Sequence, residues 1–249
     1  MFELHSAPTP FAPACAVFDC DGVLLDSETL WGEIQADMFK RYQVPLTPDL
    51  EASLVGISAG DLADRLAALT PLASEFDGSP EAFRDSVYTT ITTTEYDVVS
   101  RGVTRIDGAL ETIKLLSAKI PVAVASNSGG KLLTQKLTGF GYAPYLDTWV
   151  SFHDVENGKP APDIYREAVR RLGFAPEQAL TVEDSITGMR AATSAGTNCL
   201  IYQAEPDAAT PTPLLTAGIG RFSSFTDPAF LAQLEAWVGH LPDRDQRKP

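Results

Sequence analysis

The segment Phe18-Asp19-Cys20-Asp21-Gly22 ends a short apolar run with two carboxylates one residue apart. In an extended strand, side chains two positions apart share a face, and Gly22 permits the sharp exit that a packed strand end needs. Three further segments end or follow apolar runs in a chemically complementary way. Ser126-Asn127-Ser128 offers hydroxyl and amide donors before a helix start near Gly130, Gly158-Lys159-Pro160 offers a lysine, and Glu183-Asp184-Ser185 offers two more carboxylates. Carboxylates gathered at one crevice repel one another unless a hard cation neutralises them, and oxygen-only ligands suit Mg²⁺. With Lys159 as a second positive charge, such a site fits a phosphoryl group, whose equatorial oxygens need neutralising in the transition state. A free aspartate can then attack phosphorus, and a carboxylate two residues on can act as general acid and later as base.

These residues require strand ends to position them. The apolar run from Ala14 to Phe18 suits a strand buried on both faces. Helix-length segments at 27–43, 48–55, 60–69 and 80–98 follow, separated by Pro45, Pro48, Pro71 and the Asp77-Gly78-Ser79-Pro80 breaker. After Gly102 helix and strand alternate: helices at 108–118, 130–139, 161–172 and 186–195, strands at 121–126, 148–152, 180–183 and 198–202. Within 161–172 the apolar residues Ile164, Tyr165, Ala168, Val169 and Leu172 fall on one face, with Arg166, Glu167, Arg170 and Arg171 turned away. The pattern predicts an α/β fold, a doubly wound, Rossmann-like parallel sheet at 12–26 and 103–240, with a helical domain at 27–102 inserted after the first strand. Residues 1–11 and 241–249 are expected to be loose tails. Ligands of such sheets bind beyond the carboxyl ends of the strands, where all four segments fall.

Taken together, DxDGVLxDSE at 19–28, VASNS at 124–128, GKPAPDIY at 158–165 and VEDSITGMRAA at 182–192 resemble the four ordered motifs of the haloacid dehalogenase-like (HAD) superfamily. The insertion at 27–102 looks like the cap of its β-phosphoglucomutase-like and sugar phosphatase branch, which closes over the active site. The resemblance implies a Mg²⁺-dependent phosphomonoesterase working through an aspartyl phosphate. Asp19 would be nucleophile and metal ligand. Asp21 would be acid/base and would offer its backbone carbonyl to the metal, which Asp184 would ligate with Glu183 beside it. Ser126 and Asn127 would hold phosphoryl oxygens, and Lys159 would pair with Asp19 and the phosphate. A dehalogenase, lacking the second aspartate and the metal, is disfavoured by Asp21 and the Glu183-Asp184 pair. Against a phosphomutase stand Trp31, where the mutase pattern has histidine, and Gly56-Ile57-Ser58-Ala59, where it has Gly-Val-Ser-Arg. The wording at 106–128 and 181–203 is most similar to hexose and sugar-acid phosphatases, including the 6-phosphogluconate phosphatase type. The alternatives are the phosphomutase itself and a non-enzymatic module that binds a phosphorylated metabolite.

Composition narrows the partners. With 33 acidic against 19 basic side chains, the net charge of −14 opposes contact with nucleic acid or an anionic membrane, leaving a small phosphorylated metabolite. Three scattered cysteines and an N-terminus without a basic segment point to the cytoplasm, and a monomer is the simplest expectation. Other motifs have plainer readings: Asp26 and Ser27 suit a hinge and a helix cap, and Trp31 suits packing in the cap. Gly56-Ile57-Ser58-Ala59-Gly60 matches the G-x-S-x-G of serine hydrolases but follows no strand, and His5, His153 and His240 are too dispersed to serve a triad.

Overall fold

In the computed structural model of the protein, residues 1–4, 11–54, 57–204 and 218–244 are described. Two compact units emerge, one of Met1–Leu25 with Arg105–Pro249 and one of Asp26–Thr104. The larger is built on a seven-stranded sheet. Its order is β1 (Phe2–Leu4), β9 (Gly220–Phe222), β8 (Asn198–Tyr202), β7 (Ala179–Glu183), β2 (Cys15–Phe18), β5 (Val122–Ser126) and β6 (Thr148–Ser151). All pairings are parallel except β1 with β9. Two short strands, β3 (Leu25–Asp26) and β4 (Thr104–Arg105), pair with each other.

The central position of β2 follows from its composition. All four of its residues are buried, as are all five of β5 and of β7 on its flanks. Each large apolar side chain taken out of water there contributes roughly 1.5–3 kcal/mol. Helices α7 (Asp163–Leu172) and α8 (Ile186–Ala195) cover one face, and Ile164, Tyr165, Ala168 and Val169 of α7 enter a core with Val17, Ala123, Ala125 and Val150. This is the stripe expected from spacing, with Gly173 closing the helix in the left-handed conformation at φ 85°. Helices α5 (Ala109–Lys119) and α6 (Gly130–Gly139) fill the other crossovers.

The smaller unit is built of helices, α1 (Glu28–Arg41), α2 (Pro48–Ala52), α3 (Ala59–Leu69) and α4 (Pro80–Gly102), around Met38, Phe39, Leu62, Leu66, Val87 and Ile91. Trp31 packs partly buried against this core. Ser58 is the N-cap of α3: its hydroxyl accepts from the Asp61 N–H at 3.0 Å and donates to Asp61 Oδ2 at 2.8 Å. A capping role therefore accounts for the serine of the G-x-S-x-G match, whose Gly56 lies outside the described residues. Ser58→Ala is expected to lower the stability of this unit by about 1 kcal/mol and leave turnover intact, readable by thermal unfolding beside an activity assay. Loss of turnover in a folded Ser58→Ala protein would restore the hydrolase reading. Ser27 stands at the N-cap position of α1 without making a side-chain capping bond, and Asp26 is exposed in β3.

Two expectations need correction. Phe2–Leu4, in the arm expected to be loose, is a strand paired along Phe222–Gly220, with Glu3 bonded to Arg221 at 2.8 Å. At the other end Arg244 bonds Asp147 Oδ2 at 2.8 Å, and Lys119 pairs with Asp243 at 2.9 Å. No element was expected beyond Tyr202, yet β9 and the helix α9 (Pro228–Val238) follow it. His5 lies outside the described residues. None of the described helices is long and apolar enough to cross a membrane.

Candidate active site

Phe18 lies beside Val124 of β5 on one side and Val182 of β7 on the other. The next residue, Asp19, donates its N–H to the Val182 carbonyl at 3.0 Å, so its side chain emerges between the ends of β5 and β7. Lys159 Nζ reaches it there, donating to Asp19 Oδ1 at 2.6 Å and to Glu183 Oε1 at 2.6 Å. All three residues are buried. Glu183 Oε1 also accepts from the Tyr165 hydroxyl at 2.5 Å, and Oε2 from the Ser185 hydroxyl at 3.3 Å. A charge cluster this dry persists only because every member is paired; deleting one partner from such a group costs about 3–5 kcal/mol.

The electrostatics follow from that crowding. Burial, opposed by Lys159 and reinforced by the carboxylates of Glu183 and Asp21, pushes Asp19 up to about 7. Burial pulls Lys159 the other way, but Asp19 and Glu183 outweigh it and hold the ammonium above its ordinary range. Burial and Glu183 together keep the Tyr165 hydroxyl protonated, a donor to the carboxylate. Burial likewise keeps the thiols of Cys15, Cys20 and Cys199 protonated and inert.

Asp184 completes the carboxylate group. One oxygen from each of Asp19, Glu183 and Asp184 lies within 4.8 Å of the others. Gly22 makes this possible: at φ 81°, with a Cβ position 1.8 Å from Asp184 Oδ2, it leaves room that no side chain would. Three convergent carboxylate oxygens, in a site with two lysines against the four carboxylates of Asp19, Asp21, Glu183 and Asp184, form a donor set that fits a hard divalent cation.

The carboxylate of Asp21 faces the end of β5 instead. Its Oδ2 accepts from the Ser128 hydroxyl at 3.0 Å and the Ser126 hydroxyl at 3.4 Å. Lys136 of α6 donates to Oδ1 at 2.8 Å and to Oδ2 at 3.0 Å. Asp21, expected to serve a metal through its backbone carbonyl, is not among the three residues whose carboxylate oxygens converge. Asn127, expected at the phosphoryl oxygens, spends its side chain on the lysine loop: Oδ1 accepts from the Lys159 N–H at 2.9 Å and Nδ2 donates to the Lys159 carbonyl at 3.1 Å. Ser126 caps the turn into α6, accepting from the Ser128 N–H at 3.0 Å. His153 accepts from the Gly130 N–H through Nδ1 at 3.3 Å, at the start of α6.

Lys136 and Tyr165 had no expected role in this site. Each left a signal: Lys136 sits on the apolar stripe of α6 with Leu132, Leu133 and Leu137, and Tyr165 lies on the buried face of α7, where its hydroxyl must find a partner.

Residues 16–202 match the haloacid dehalogenase-like hydrolase family, and the chain belongs to it. Several of its relatives are named phosphatases. A "Phosphorylated carbohydrates phosphatase" of Thermotoga maritima is 31% identical over 181 residues, 72% of this chain and 80% of that protein. "Validoxylamine A 7'-phosphate phosphatase" of Streptomyces hygroscopicus subsp. limoneus is 30% identical over 188 residues, 74% of this chain and 83% of that one. The crystal structure of CbbY from Rhodobacter sphaeroides in complex with phosphate shares the fold, with TM-score 0.71 and 24% identity over 90% of this chain and 99% of that one. Within the family, this protein is a phosphatase.

Proposed function

We propose that the protein hydrolyses phosphomonoesters of small phosphorylated carbohydrates through an aspartyl phosphate on Asp19. The observation that carries this reading is Asp19 itself: a buried carboxylate at the carboxyl end of the central strand, held by a buried lysine 2.6 Å away, with a second aspartate two residues on. An Asp19 oxygen bonds to phosphorus as the ester oxygen departs, and the carboxyl of Asp21 gives that oxygen its proton. A water then attacks phosphorus, its proton passes back to Asp21, and the bond from Asp19 to phosphorus breaks to release inorganic phosphate. Lys159 orients the nucleophile and faces the phosphoryl oxygens. The Ser126 hydroxyl and the start of α6 stand ready for the remaining oxygens, and Asn127 fixes the loop that carries Lys159. Asp19, Asp184 and Glu183 would hold Mg²⁺, Glu183 in support because Lys159 and Tyr165 already occupy Oε1. Bound there, the ion would supply the positive charge that a phosphoryl dianion needs among four carboxylates. The carbohydrate part of the proposal is supported by the relatives named phosphatases of phosphorylated carbohydrates and of a validoxylamine phosphate.

Phosphate release from sugar, polyol and sugar-acid phosphates, phosphoglycolate and nucleotides tests the reading. Release from one or more carbohydrate phosphates is expected. Silence across the panel in the presence of Mg²⁺ would overturn it, as would migration of phosphate between sugar positions without release. In the same assay EDTA should cut the rate by at least roughly a hundredfold and added Mg²⁺ should restore it, an ion with this task being worth several kcal/mol. Full activity in EDTA would remove the metal from the proposal.

A further inference from the structure

Each of the two aspartates of β2's outgoing turn has its own buried lysine. Lys159 serves Asp19, as described, and Lys136 serves Asp21. Lys136 is 2% exposed, on the helix stripe that also buries Leu132, Leu133 and Leu137, so its ammonium has been taken out of water at a cost that only a close anion offsets. The anion is Asp21, gripped through both oxygens at 2.8 and 3.0 Å. The Ser128 hydroxyl closes the ring, 3.0 Å from Lys136 Nζ and 3.0 Å from Asp21 Oδ2. A bidentate ion pair braced by a hydroxyl fixes the carboxylate's plane as well as its place. Asp21 is about one-third exposed, so packing alone does not hold it.

We propose that Lys136 is the positioning residue for Asp21: with Ser128 it sets the orientation in which that carboxyl group meets the leaving oxygen, as the acid that gives up its proton, and then the water, as the carboxylate that takes one. This rests on the reading of Asp21 as acid/base. Lys136 does not touch the phosphoryl group; it acts through Asp21. A lysine that merely held α6 in place would slow every substrate alike, whereas one acting through Asp21 matters in the first step only where the leaving group needs a proton.

The test compares kcat/KM of Lys136→Met on glucose 6-phosphate, which expels an alkoxide, and on 4-nitrophenyl phosphate, which expels a stabilised phenolate. A loss of about a hundredfold or more on the sugar phosphate and less than about tenfold on the aryl phosphate is expected, general acid catalysis being worth roughly 10²–10⁴. Ser128→Ala, a milder lesion that keeps the lysine, should show the same split at smaller size. In an Asp21→Asn background Lys136→Met should cost less than about threefold, because the group it acts through is already gone. Equal losses on both substrates, or a full repeat of the loss in the Asp21→Asn background, would overturn the role of Lys136 and leave the phosphatase reading standing. A wild-type protein silent on 4-nitrophenyl phosphate and on every member of the phosphate panel would overturn the two together. If Lys136→Met does not fold, the Ser128→Ala split and its cycle with Asp21→Asn decide.

Discussion

Asp19→Asn is expected to reduce phosphate release by roughly four to six orders of magnitude, the range seen when a covalent nucleophile is removed. The substitution keeps the side chain's size and removes only its capacity to bond to phosphorus. Its structural cost is small for a specific reason. With no metal bound, burial, against the pull of Lys159, and the repulsion of Glu183 and Asp21 make a charge at Asp19 unfavourable. A neutral amide relieves that repulsion, and Lys159 retains Glu183 at 2.6 Å. The variant should therefore unfold within a few degrees of the wild type while its turnover vanishes. Rapid quenching with labelled substrate adds a direct reading: label appears on the peptide containing Asp19 in the wild type and not in the variant. Turnover above about a hundredth of wild type in a folded variant would sink the covalent mechanism, since neither an amide nor a distant carboxylate replaces the attacking oxygen.

Much of this arrangement is readable from sequence because its determinants are local. A strand end is announced by an apolar run that stops on an acid, and a parallel sheet brings the ends of successive strands to one edge. Asp19, Lys159, Glu183 and Asp184 meet for that reason, and no single motif needed to know about the others. Asp21 was legible as a residue but not as a contact. Its partner Lys136 arrives from a helix whose long polar side chain resembles a surface lysine until the buried stripe beneath it is drawn, so the pair is a tertiary fact. Asn127 shows the converse: its place at the end of β5 was legible, whereas its bonds to both main-chain groups of Lys159 were not, because that loop arrives from far along the chain. At the sheet's edge the difficulty was length. Phe2–Leu4 and Gly220–Phe222 are three residues each, too short for any periodicity, and they pair across most of the chain. The helix at Pro228–Val238 was readable in principle: Asp227 accepts from the Ala229 N–H at 2.8 Å, Pro228 opens the first turn, and Phe230, Leu234, Trp237 and Val238 make its buried face.

Gly188→Ala is expected to be a severely damaging one-methyl change in the chain's α/β core. A Cβ at Gly188 would lie 1.9 Å from Glu183 Cδ and Oε1 and 2.0 Å from Oε2, far inside contact distance. The added methyl could be accommodated if the glutamate swung aside, but Glu183 is fully buried and its carboxylate is bonded to Lys159, Tyr165, Ser185 and the Asp184 N–H. Moving it breaks a buried ion pair, worth about 3–5 kcal/mol. Moving the backbone of α8 instead disturbs Ser185, whose hydroxyl caps that helix by accepting from the Gly188 N–H at 3.0 Å. Either route reaches Lys159, and through it Asp19. A fall in Tm of about 10 °C or more is expected at this chain length, with turnover lost in whatever folds. Gly139→Ala, also helical and with nothing within 4 Å of the new methyl, is the control and should hold or gain stability through helix propensity. If Gly188→Ala instead unfolds with the wild type and keeps its rate, Glu183 is free to leave its place over α8, and the buried cluster that holds Lys159 is looser than its bonds require.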